Sequence, residues 1–154
     1  TLRDPTLKLT PLQRLELFQE ARMDNYLNVV IPSLKARKIV IKSGGWPSTV
    51  AYQGYADRID LKLIDETNLE ATKGFMPDLL FIINVPAEKG LEKKVKQNRL
   101  SSKGIDYYTR LNEGYLHVAQ NNQDISVIIP YIDGEPEEMH RKIVKFVKGR
   151  LNQR

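Results

Sequence analysis

At 154 residues, with 41% hydrophobic and 28% charged residues, the chain has the size and composition of one folding domain rather than of a disordered segment. No stretch approaches the roughly 18 consecutive apolar residues that a membrane-spanning helix needs, and the absence of cysteine excludes disulfide frameworks, thiolate zinc sites and cysteine nucleophiles. The 24 Lys+Arg against 19 Asp+Glu leave a formal charge of +5, which suits an anionic partner such as a nucleotide; nucleic acid ranks last, because no recognition motif accompanies the charge. The polar opening Thr1-Leu2-Arg3-Asp4-Pro5 has no signal-peptide apolar core, so the expected setting is the cytoplasm.

From Thr10-Pro11 to Arg37 the residues Leu12, Leu15, Phe18, Tyr26, Leu27, Val30 and Leu34 recur at three- and four-residue intervals, the spacing of a long helix. Thr10 is its expected N-cap and Pro11 its first helical residue, while Pro32 predicts a kink or restart near Ile31. Lys38-Ile39-Val40-Ile41 is too short for a helix and β-branched, and reads as a buried strand leading into the loop Ser43-Gly44-Gly45. Tyr55 to Lys73 returns to helical spacing, with Gly74 as its stop.

The run Leu79-Leu80-Phe81-Ile82-Ile83-Asn84-Val85 is hydrophobic without alternation, as expected of a strand covered on both faces in a parallel sheet. Helices are predicted over 89–97 and 107–120, a third strand over Ser126–Ile132, and a closing amphipathic helix from Pro136 through Phe146 and Leu151. The alternation of strands and helices predicts an α/β fold, a parallel sheet flanked by helices, in which three strands are few.

The order of several short segments then becomes specific. Pro47-Ser48-Thr49-Val50-Ala51-Tyr52-Gln53-Gly54-Tyr55 resembles the serine–threonine–x–alanine–tyrosine–glutamine–glycine–tyrosine run of bacterial thymidylate kinases. Leu17-Phe18-Gln19-Glu20-Ala21-Arg22 resembles their nucleotide-binding helix, and Gly74-Phe75-Met76-Pro77-Asp78-Leu79 resembles their entry into a buried strand. Val85-Pro86-Ala87-Glu88 follows as in the family, and Asn98-Arg99-Leu100 with Arg110-Leu111-Asn112-Glu113-Gly114 resembles the end of the lid and the helix after it. The resemblance implies a P-loop kinase-like fold and transfer of the ATP γ-phosphate to dTMP with magnesium. In such a transfer the protein supplies positioning and charge stabilisation.

Three departures from the family pattern bear on that activity. No glycine-rich loop ending in lysine and serine or threonine occurs in these 154 residues, although its backbone N–H groups and lysine are what hold the ATP phosphates in the family. Nor does the acidic–proline–glycine–glycine segment that holds the acceptor phosphate. Ser43 and Gly44 stand where the family carries an aspartate–arginine pair, and a hydroxyl and a hydrogen cannot supply those charges. The lid region, about 92–104, has lysines at 93, 94 and 96 and the single arginine Arg99; lysines do not reproduce bidentate guanidinium contacts.

The resemblance therefore implies a single thymidylate kinase-like domain over 1–154, N-terminally incomplete and missing its first two strands, including the central P-loop strand. Without that strand two buried neighbours would leave backbone groups unpaired. A cleaved or omitted N-terminus, a partner polypeptide supplying the strands, and a rearranged sheet are the open alternatives. The resemblance carries Phe18 as the thymine-stacking aromatic, Arg22 as the base-carbonyl arginine, and Thr49 and Tyr52, with Gln53 adjacent, as base-edge and sugar-side residues. Arg99 is the candidate lid contact to phosphate.

Read without the family, Phe18 is a core residue, Arg22 a surface charge, Thr49 a helix cap, Tyr52 a packed aromatic and Arg99 an exposed loop residue. His117 and His140 are too isolated for a metal site, and Trp46 reads as a plug beside the altered loop. ATP and Mg2+ are the implied cofactors, dTMP or a related pyrimidine monophosphate the implied ligand, and a homodimer through the 10–37 helix the implied assembly. The competing reading is a non-catalytic kinase-fold protein with a dimerisation, regulatory or nucleotide-binding role.

Overall fold

The computed structural model describes residues 8–95 and 103–152, and the chain forms two compact units, 1–76 and 77–154. In the first unit, helix α1 (Pro11–Asn25) begins at the expected cap. Thr10 Oγ1 accepts the Gln13 N–H at 3.2 Å and Gln13 Oε1 accepts the Thr10 N–H at 2.9 Å, so two otherwise unpaired donors are satisfied reciprocally beside Pro11. The helix continues through a π-helical turn, Tyr26–Val30, into α2 (Ile31–Lys35). Pro32 has no N–H to donate; the wider turn, with the Ile31 N–H bonded to the Tyr26 carbonyl, adjusts the backbone just before it. The expected break near Ile31 takes this form.

Helix α3 (Trp46–Thr49), a second π-helical stretch (Val50–Ala56) and helix α4 (Leu61–Thr72) complete the unit. The helix expected over Tyr55–Lys73 is therefore shorter. Arg58 adopts a left-handed φ of 62°, which interrupts helical bonding, and Asp60 restarts it by accepting the Leu63 N–H at 3.0 Å. Lys73 and Gly74, at φ 52° and 74°, form the stop that Gly74 predicted.

The strand expected at Lys38–Ile41 is a second correction. These residues carry no strand bonding, and Ile39 and Ile41 are 72% and 93% exposed. A β-branched run favours an extended backbone, but a strand exists only through a neighbour's ladder. None is present among the described residues of this unit.

The second unit holds strands β1 (Leu80–Asn84) and β2 (Ser126–Pro130), parallel and in register from Leu80↔Ser126 to Asn84↔Pro130. Helices α5 (Ala87–Val95), α6 (Ile105–Asn121) and α7 (Pro136–Leu151) follow the predicted order. Helix α6 packs on both strands and on α5, and α7 packs on β2, the layering that a parallel crossover requires. The expectation that β1 is covered on both faces is corrected: Ile82 and Ile129 are buried, but Ile83 and Ile128 are 44% and 43% exposed. Each strand has a neighbour on one edge only among the described residues, so side chains that a wider layered sheet would cover stay open. No described helix is long and apolar enough to cross a membrane.

Candidate functional site

The buried stripe of α1 contains Leu15, Gln19 and Arg22 and continues with Tyr26 and Val30. This is helical spacing, but two of its members are polar, while Leu12, Leu17 and Phe18 are left half-exposed. A guanidinium on the inner face has to be matched by acceptors, and the fold supplies four. Arg22 Nη1 donates to Gln19 Oε1 in a very short contact and to Asn68 Oδ1 at 2.9 Å. Nη2 donates to the Gly45 carbonyl at 3.0 Å and to Thr49 Oγ1 at 2.6 Å.

Three parts of the fold meet there: α1 supplies Gln19 and Arg22, α4 supplies Asn68, and α3 with the residue before it supplies Thr49 and Gly45. Gly45 has φ 132° and ψ −157°, a region that only glycine adopts readily; this turns its carbonyl to Arg22 while the same oxygen accepts the Ser48 and Thr49 N–H groups at 3.1 and 3.4 Å.

Arginine is a donor only, so it sets the orientation of both amides. Gln19 must present its oxygen, which leaves its nitrogen to donate to Thr67 Oγ1 at 2.9 Å and Asn68 Oδ1 at 3.0 Å. Asn68 likewise turns its oxygen to Arg22 and Gln19, and its buried Nδ2 has no partner. Burial pulls the Arg22 guanidinium below its ordinary value, with Tyr26 acting in the opposite direction; the same burial pushes the Tyr26 hydroxyl up, opposed by Arg22. An arginine remains charged through such shifts.

A cavity of about 450 Å³ opens beside this cluster, lined among others by Phe18, Arg22, Asn25, Lys42, Ser43 and Gly45. Lys42 Nζ donates to Asn25 Oδ1 at 2.8 Å and lies 4.6 Å from the centre of the Tyr26 ring, a cation–π distance. No acidic residue lines the cavity. Among the described residues no group of three or more His, Cys, Asp or Glu side chains is arranged to hold a metal ion.

Of the sequence-predicted residues, Phe18 and Arg22 line this cavity together, one helical turn apart as their spacing requires. Thr49, 2% exposed, stands behind Arg22 as its acceptor. Tyr52 and Gln53 lie in the π-helical stretch and do not line the cavity; their carbonyls accept the Asp57 and Ile59 N–H groups, each at 2.9 Å. Arg99 lies outside the described residues. Gln19, Asn68, Gly45 and Lys42 were not anticipated. The first two carried a signal, a polar residue at an inward position of an apolar stripe: Gln19 follows Leu15 by four residues, and Asn68 follows Ile64 by four.

A family model for thymidylate kinase matches residues 2–143. The chain is 34% identical to the thymidylate kinase of Anaplasma phagocytophilum (strain HZ) over 151 residues, covering 94% of this chain and 68% of the relative. The chain belongs to the thymidylate kinase family. It is also 34% identical to the thymidylate kinase of Sulfurihydrogenibium sp. (strain YO3AOP1), with 93% of this chain and 70% of that protein covered. The crystal structure of thymidylate kinase from Ehrlichia chaffeensis superposes with a TM-score of 0.73 at 26% identity, covering 93% of this chain and 67% of that one. The α/β architecture with a parallel sheet is thus the P-loop kinase architecture of this family, with a small sheet.

Proposed function

We propose that these 154 residues bind dTMP in the cavity beside Arg22 and, by themselves, transfer phosphate from ATP slowly or not at all. The reading rests on one contrast: Phe18, Arg22 and Lys42 line one cavity with no acidic residue, while Ser43 and Gly44 occupy the loop beside it, where the family resemblance puts a charged pair. Phe18, 38% exposed on the cavity wall, is free to stack on a pyrimidine ring. Tyr52 and Gln53 belong to the same proposed site through the family resemblance alone, and Arg99, outside the described residues, stays the candidate phosphate contact that the resemblance implies. ATP and Mg2+ are the family's co-substrates, and no described side chain is assigned to them.

The test is ADP formation from ATP and magnesium by this chain, with and without dTMP, beside titration of dTMP and ATP. The expected result is no dTMP-dependent turnover and tighter binding of dTMP than of ATP. Turnover within the usual kinase range of about 1–100 per second would mean that groups other than a P-loop hold the phosphates, and would overturn the catalytic half of the reading.

A second reading is a non-catalytic dimer joined through the 10–37 helix. Leu12, Leu27, Val29 and Leu34 are exposed along this helix, and a run of exposed apolar residues is what an interface would cover. Sedimentation as a dimer indifferent to nucleotide would support it. A partner polypeptide supplying strands would instead be captured by the open Lys38–Ile41 stretch.

A further inference from the structure

The cavity beside Arg22 carries two cations and no acid on its wall, and the two differ in what they have left to give. Arg22 spends all four terminal hydrogens on protein acceptors, so it contributes charge and base-side structure but no spare terminal donor. Lys42 gives one hydrogen to Asn25 Oδ1 at 2.8 Å. An ammonium has three. Ser43, next in sequence, shares the same wall. We propose that Lys42 is the cation that contacts the phosphate of the bound monophosphate, with Asn25 and the Tyr26 ring holding its ammonium at the cavity wall.

The proposal deepens the reading given above and rests on it, since it takes dTMP to be the occupant. Two features favour an anion at this place. The first is the electrostatic imbalance: neither Arg22 nor Lys42 has an ion-pair partner among the described residues. Burial and the charge of Arg22 both pull the Lys42 ammonium below its ordinary value, and an anion beside the two would relieve that repulsion. The second is position. Lys42 and Phe18 line one cavity, so a single ligand that carries both a ring and a phosphate, as a nucleoside monophosphate does, has a partner for each on the same wall. A lysine suits this task as a mobile point charge, though it lacks the fork of an arginine.

The experiment is calorimetric titration of the wild-type chain, Lys42→Gln and Lys42→Arg with dTMP, thymidine and inorganic pyrophosphate, at low and high salt. The expected result is that Lys42→Gln weakens dTMP binding about tenfold, leaves thymidine unchanged, and flattens the salt dependence; Lys42→Arg stays within about threefold of wild type. Equal dTMP affinity in wild type and Lys42→Gln overturns the proposal and leaves the dTMP reading standing. If the wild-type chain binds neither dTMP nor thymidine, that reading fails, and pyrophosphate decides the anion contact. Binding lost in Lys42→Gln supports a Lys42 anion contact without the pyrimidine, whereas binding that is absent or unaffected overturns it. The residue as a whole is exposed although its ammonium is partly desolvated beside Arg22, so a melting temperature within about 2 °C of wild type is expected for both variants.

Discussion

Arg22 and Ile41 line the same cavity, yet one is 8% exposed and bonded at every terminal hydrogen while the other is 93% exposed. Among the described residues, no backbone hydrogen bond reaches Ile39, Val40 or Ile41. The difference lies in where the required partners come from. The acceptors for Arg22 are on α1, on α4, in α3 and at the residue before α3, all within 46 residues of it in sequence. A strand needs a neighbouring strand, and its local sequence cannot provide one. The arginine cluster can therefore be complete in a chain whose 38–41 stretch remains open.

The strongest way to break the comparison is to remove the centre of the complete side. Arg22→Leu relieves the desolvation of a buried guanidinium, but it strips a charged donor from four buried or half-buried acceptors at once. Asn68 Oδ1 keeps the Gln19 amide and the Gly45 carbonyl keeps the Ser48 and Thr49 N–H groups, so Gln19 Oε1 and Thr49 Oγ1 lose their donor, at about 1–3 kcal/mol each, and the second effect dominates. A loss of about 3 kcal/mol in unfolding free energy is expected from urea titration, with dTMP affinity reduced more than tenfold. A loss under about 1 kcal/mol would show that the four contacts do not act as a unit.

Gly45→Ala attacks the same cluster through its backbone. An alanine at φ 132° and ψ −157° costs about 1–3 kcal/mol, and relaxing that strain would rotate the carbonyl away from Arg22 Nη2. The expected loss is about 2 kcal/mol in thermal unfolding, with a several-fold weaker dTMP complex. Gly44→Ala, at φ 74° and not among the partners of Arg22, should cost less, about 1 kcal/mol. Equal effects of the two would mean that the Gly45 carbonyl is not what matters.

Much of this was legible in the residues. Caps, stops and periods placed α1, α4, α6 and α7, because those signals act within a few residues. The run Leu79–Val85 and its partner at 126–132 were found for the same reason, although a continuous apolar run could not show that Ile83 would stay 44% exposed; coverage depends on distant helices. The interruption at Arg58 was hidden because nothing in an arginine announces a positive φ. At the site, the i,i+4 relation of Phe18 and Arg22 was readable, whereas Asn68 was not, since its contact with Arg22 spans 46 positions. Reading apolar residues as the inner face of α1 also reversed part of it. Gln19 and Arg22 are inside and Phe18 is at the cavity, because a network of complementary acceptors outweighs the cost of burying a charge.

The smallest expected effect tests the open side. Ile41→Thr exchanges an exposed β-branched residue for another that favours the same extended backbone, so a chain with an uncovered stretch should change by less than about 0.5 kcal/mol. Ile64→Ala is the control: Ile64 is 0% exposed, and losing its side chain should cost about 2–5 kcal/mol. A loss above about 1 kcal/mol at Ile41 would mean that the stretch is covered in solution. Dependence of that loss on protein concentration would then assign the cover to a second copy of the chain, and independence would assign it to the chain itself. Either result would close the gap between the two sides of the cavity, because the strand stretch would then have found the neighbour that its own sequence cannot supply.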